Sequence, residues 1–166
     1  MPIVRGIHMR KIAFGIAAVA AVVSAPALAG TATGTVQVSL NVSSSCSVTA
    51  QPLDFGTTNS FATAIDSSSA TTVKCTPLAP YSVFVSYGAN ANGTQRQLAS
   101  TTDATKVVKY DVYSDASRST AWTPTVGTTG VGDGNEKATT LYGRVPVQTA
   151  VAAGDYKDTV TVTVSY

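Results

Sequence analysis

Apolar and polar positions alternate along this chain with a period of two, and almost nowhere with the period of a helix. The clearest run closes the sequence, where Val160, Val162 and Val164 alternate with threonine and serine up to Tyr166. Residues two apart on an extended strand share a face, so such a run buries one side and wets the other. The same spacing predicts strands at residues 36–42, 46–48 (with Leu53 and Phe55 continuing), 71–75, 81–87, 107–113, 139–147 and 158–166. Turn formers separate them: Asn92-Gly93 within 88–93, four glycines and a proline within 123–134, Pro77 and Pro80, and Gly154-Asp155. Ser67-Ser68-Ser69 reads as a loop. Many short strands with turns between them predict an all-β, immunoglobulin-like sandwich over residues 43–166, with about six strands counted from Cys46.

The first residues follow a different rule. Arg5, Arg10 and Lys11 flank an apolar run over residues 12–23, and Ala27-Leu28-Ala29 forms a small-x-small cleavage site. Twelve residues as a helix reach about 18 Å, short of the ~30 Å bilayer core. Residues 1–29 are therefore expected to be a secretory signal peptide, and Met9 with Arg10-Lys11 already has the form of a leader start. Cleavage before Gly30 removes three of the eleven basic residues and leaves eight against nine acidic ones, a net charge of −1. No cluster of Lys or Arg remains, so the footprint of a nucleic-acid binder is missing. Cys46 and Cys75 both fall in the exported part and are expected to pair there, a link contributing about 3–4 kcal/mol by loop closure.

Candidate chemistry is sparse. The one histidine, His8, sits in the leader, which leaves the mature chain without a Ser-His-Asp triad or a usual base near neutral pH. With two cysteines and no histidine, no tetrahedral metal site can be assembled, and no cofactor is expected. The carboxylate pairs Asp111 with Asp115, Asp133 with Glu136, and Asp155 with Asp158 fall at strand ends or loops, where acidic residues ordinarily solvate turns. Residues 133–136 lack the ligand spacing of a calcium loop, and Gly130, Gly132 and Gly134 open no helix. Trp122 reads as core, and Asn92-Gly93-Thr94 is a formal glycosylation sequon. An enzyme is not expected.

Both ends of the mature chain are odd. Val36, Val38, Leu40 and Val42 present one apolar face a few residues after the cleavage site, and such a face must cover something. At the other end the chain stops on its most strongly alternating strand. A seven-stranded sandwich then lacks one strand, which a neighbouring copy's residues 30–42 can supply by strand addition. Four aliphatic side chains buried in this way contribute roughly 6–12 kcal/mol gross. A head-to-tail contact of that kind does not close, so it propagates. The pattern alone is equally compatible with residues 36–42 as the first strand of a self-contained sandwich.

The sequence resembles the spore coat protein U family, which includes major subunits of archaic chaperone–usher pili. The resemblance runs through Thr33-Gly34, the alternating 36–42 segment, Ser45-Cys46, Leu53-x-Phe55-Gly56, Val73-Lys74-Cys75, residues 108–115, Tyr142-Gly143 with Val145-Pro146, and above all residues 154–166. It implies a periplasmic chaperone, an outer-membrane usher, identical subunits as partners, and export to the cell surface. Carried over, Val36, Val38, Leu40 and Val42 are donor side chains. Val48, Val160, Val162 and Val164 wall the acceptor groove, the carboxylate of Tyr166 anchors the chaperone, and Cys46–Cys75 is the family disulfide. Pilus subunit is the leading expectation, with a monomeric secreted adhesin or carbohydrate-binding module and a spore or cyst coat protein as rivals.

Overall fold

Strand β5 (Val107–Tyr113) shows how the alternation becomes a core: Val108, Tyr110 and Val112 are buried while Lys109 between them is exposed. The structure, a computed structural model, describes residues 29–166. The leader expected over residues 1–29 lies, apart from Ala29, outside the described residues. The chain divides after Leu40 into two units. Of the first, the described residues 29–40 hold no strand and are exposed throughout.

Among the described residues, the second unit carries every strand. One antiparallel sheet has the order β1 (Cys46–Ala50), β2 (Ile65–Cys75), β7 (Glu136–Val145), β5, β4 (Arg96–Ser100) and β8 (Tyr156–Lys157). The other has β6 (Thr128–Val131), β3 (Pro80–Val85) and β9 (Val162–Ser165). Their inner faces meet in one core that includes Val73, Val83, Val85, Val112, Leu141 and Val145. This is the expected immunoglobulin-like β-sandwich. Trp122 lies wholly buried in it, and its indole N–H donates to the Val83 carbonyl at 2.8 Å. Cys46 and Cys75 face each other across β1 and β2 and are disulfide-bonded.

Several boundaries differ from the sequence expectation. Ser67-Ser68-Ser69 is not a loop but the middle of β2, whose inward positions there are polar. The Ser67 hydroxyl donates to the carbonyl of Asp54 and the Ser69 hydroxyl to that of Gln51, so serine side chains tie down the segment following β1. That segment, with Leu53 and Phe55, is not a strand continuing β1. It lies close over β7 instead, where a Cβ on Gly143 would stand 2.7 Å from Leu53 and 2.8 Å from Phe55. β4 and β6 were hidden, one beginning at a charged residue and the other sitting inside the glycine-rich stretch.

Arg96 explains why β4 eluded the pattern. It is 2 % exposed, yet none of the ion pairs among the described residues includes it. Its guanidinium instead reaches the opposite sheet and donates to the carbonyls of Ser86 (3.0 and 2.7 Å), Val85 (3.2 Å) and Trp122 (2.6 Å). The ring of Tyr87 packs 5.4 Å away, and burial lowers the Arg96 pKa. Buried charges persist when hydrogen bonds satisfy them, and here backbone carbonyls do so.

Candidate strand-acceptor seam

A β-strand at the edge of a sheet leaves one row of N–H and C=O groups without ladder partners. Among the described residues β1 and β9 are both such edges: β1 pairs with β2 alone, and β9 with β3 alone. Cα atoms of the two approach within 8 Å, but no ladder joins them. A strand paired to both would hold them about 9.6 Å apart, two interstrand spacings. Where they approach, the seam is therefore narrower than the width of an intervening strand.

The side chains along the seam are apolar and incompletely covered. Val48 stands opposite the fully buried Val73 yet is itself 39 % exposed. Val160, Val162 and Val164 are half-buried against the core, while Thr159, Thr161 and Thr163 between them are exposed. Sequence reasoning did not name Phe61 and Ile65, which with Leu53 and Phe55 are half-buried against the same core. Isolated apolar residues among polar ones, outside any alternating run, were the signal available.

The approach to β9 is fastened by Asp158. Its Oδ1 accepts the backbone N–H groups of Asn90 (3.0 Å) and Thr159 (2.8 Å), and its Oδ2 accepts the Tyr110 hydroxyl at 2.7 Å. Burial, reinforced by that bond to Asp158, pushes the Tyr110 pKa up. Gly88 makes the arrangement possible, because a Cβ there would lie 2.0 Å from Asp158 Oδ2. The strand expected over 158–166 is consequently split. The β9 ladder covers 162–165, whereas Ser86 N donates to the Thr161 carbonyl (2.9 Å) and Ala89 N to that of Thr159 (3.0 Å).

Residues 36–42 do not form the strand their alternation predicts, since among the described residues no partner strand supplies hydrogen bonds. Val36, Val38, Leu40 and Val42 are 86, 89, 88 and 83 % exposed. Tyr166 is 59 % exposed and borders a cleft of about 530 Å³ shared with Tyr81 and Val131.

Of the carboxylates in the candidate pairs, Asp115 and Asp133, like Asp158, are engaged locally. The Ser117 hydroxyl, followed by the N–H groups of Ser119 (3.0 Å) and Thr120 (2.7 Å), donates to Asp115 and holds its pKa well below the usual range. Asp133 pairs with Lys137 at 2.6 Å and accepts the Asn135 N–H at 3.0 Å. Burial raises Asp111, although Arg96 nearby opposes the shift. Among the described residues no three His, Cys, Asp or Glu side chains converge on a point.

Comparison with known proteins accords with this architecture. A solved structure of the CsuC–CsuE chaperone–tip adhesion subunit pre-assembly complex, from archaic chaperone–usher Csu pili of Acinetobacter baumannii, matches at 27 % identity with a TM-score of 0.56. The match covers 75 % of this chain and 40 % of that one, so this chain spans well under half of its length. No curated protein matches. The family model of the Spore Coat Protein U domain matches residues 32–163, which takes in the alternating leading segment, the disulfide and the start of β9, and the chain belongs to that family.

Proposed function

We propose that this chain is a structural subunit of a surface pilus, exported through the periplasm and polymerised by donor-strand exchange on a chaperone–usher pathway. The observation that carries the reading is the pairing of two incomplete features. Four alternating aliphatic side chains are 83–89 % exposed on a segment with no strand, and two unpaired edges lined by half-covered valines run beside each other. Residues 36–42 of one copy insert between β1 and β9 of the next. Val36, Val38, Leu40 and Val42 then complete the core beside Val48, Val160, Val162 and Val164, while the backbone ladders on both sides. A periplasmic chaperone holds the seam before assembly, with the Tyr166 carboxylate as its anchor, and an outer-membrane usher releases the growing fibre. The fibre serves adhesion or biofilm formation. The likeness to a chaperone-bound pilus subunit of the same fold supports these partners.

The test is the double variant Val38→Asp with Leu40→Asp. Two carboxylates on the inserting face cannot be buried without partners, so polymerisation is lost while the chaperone-bound monomer persists. Wild-type chains without chaperone form SDS- and heat-resistant multimers. Filaments assembled by the double variant would refute the donor assignment.

A further inference from the structure

The turn between β2 and β3 is built against the preference of its own residues. Ala79 N donates to the Thr76 carbonyl at 3.2 Å, closing a four-residue turn with Pro77 second and Leu78 third. Leu78 has φ +66°. Proline at the second position and positive φ at the third define a type II turn, whose third position belongs to glycine or asparagine. A leucine there is strained, and ordinarily packing compensates. Here it does not, because Leu78 is 87 % exposed. The turn is nonetheless rigid: Leu78 N donates to the Gly132 carbonyl and Gly132 N to the Ala79 carbonyl, both at 2.8 Å. Around the tip, Pro77 and Pro80 are exposed and Val131 is 59 % exposed. The single chain thus holds an apolar knob in a disfavoured conformation and gains no burial from it. Strain of this kind points to a role outside the chain.

Tether length says what that role is. Ser45 is fastened to the same turn, since its N–H donates to Thr76 Oγ1 and its carbonyl accepts Thr76 N, both at 2.9 Å. Ser43-Ser44 alone lie between it and Val42, so the Val42 and Ser45 Cα atoms are at most about 11 Å apart. Whatever body receives residues 36–42 is therefore held against the pole that carries Leu78. We infer that Leu78, flanked by Pro77, Pro80 and Val131, is the knob by which the body of one copy packs on the body of the next copy. This inference rests on the head-to-tail reading above and adds a second contact to it. Strand insertion makes the link, and the knob fixes the angle and stiffness between neighbouring bodies.

The experiment compares filaments of the full chain with those of Leu78→Asn, a substitution to a residue that the turn position favours. Leu78 labelling by hydroxyl radicals is measured in wild-type filaments and in the non-polymerising Val38→Asp/Leu40→Asp chain. The expected result is loss of most Leu78 labelling on assembly. The Leu78→Asn variant is at least as heat-stable as a monomer, and its filaments form but are more flexible and dissociate at lower denaturant. Equal labelling in monomer and filament, with Leu78→Asn filaments as stiff and resistant as wild type, overturns the knob and leaves strand exchange standing. Polymerisation of the double Asp variant instead overturns strand exchange itself, and the knob with it.

Discussion

Thr71 offers the sharpest stability test. Its side chain points into the core of β2 at 0 % exposure, and its hydroxyl is the buried side-chain polar atom left without a hydrogen-bond partner among the described residues. Its ladder neighbours are Ala50 and Thr139, and the next inward residue is Val73. Leaving a hydroxyl unsatisfied in such a place costs about 1–3 kcal/mol. Thr71→Val keeps the branched shape, removes the orphan and suits a strand. The expected gain of about 1–2 kcal/mol corresponds to a rise in Tm of roughly 3–8 °C for a domain of this size. Ser69 on the same stripe supplies the control. Its hydroxyl donates to the Gln51 carbonyl, so Ser69→Ala strips that acceptor of its donor and lowers Tm. Thermal unfolding followed by circular dichroism, with the disulfide intact, reads both variants. An unchanged or lowered Tm for Thr71→Val would show that the hydroxyl has a partner and that the reasoning about this stripe is wrong.

Three further outcomes are expected. Replacing Cys46 and Cys75 by serine frees a loop with a sequence separation of 29, and urea unfolding should show a loss of about 3–4 kcal/mol; no change under reducing agent contradicts it. Gly88→Ala drives a methyl into Asp158 at φ +94° and should lose about 2 kcal/mol or more. Gly93→Ala at φ +63°, with open space around it, should lose only about 1 kcal/mol, and equal melts of the two variants refute the Asp158 fastening. The hydrogen bond from Arg144 holds the Asp66 carboxyl below its usual pKa, burial opposes the shift, and the charges of Arg118 and Arg144 add to it. A depressed folded pKa means that its contribution is present above the ordinary value of 3.8 and is lost as pH falls. Asp66→Asn should therefore lose less than about 1 kcal/mol at neutral pH, and its Tm should fall less steeply below about pH 4 than the wild type's. A steeper fall contradicts this.

Sequence reasoning found the elements whose physics is periodic. Residues 107–113 and 139–145 alternate because one face is buried and the other wet, and the structure places strands there. The buried Trp122 and the Cys46–Cys75 pair were also legible. What escaped was structure held by polar side chains. Ser67 and Ser69 face inward because carbonyls of the crossing segment accept their hydroxyls, a relation no local pattern reveals. Arg96 reads as a surface residue until the carbonyls of Ser86 and Trp122 are brought around it by the opposite sheet. The alternating valines at 160, 162 and 164 announced a half-buried face, but Phe61 and Ile65 meet the same core only through tertiary packing. Leu78 was invisible, because nothing in Thr-Pro-Leu-Ala announces positive φ at the leucine.

The disulfide also governs how the molecule bears tension. A pull applied through the residues before Ser45 meets the two Ser45–Thr76 bonds and then Cys46, the opening residue of β1, which has only five residues and, among the described residues, a single ladder neighbour. Peeling that strand away one hydrogen bond at a time would be easy. The Cys46–Cys75 bond diverts the force immediately into β2, eleven residues long and flanked by partners on both sides. β2 is in turn held to β7 by a ladder running from Ile65 to Lys74, so the short edge strand does not carry the load alone.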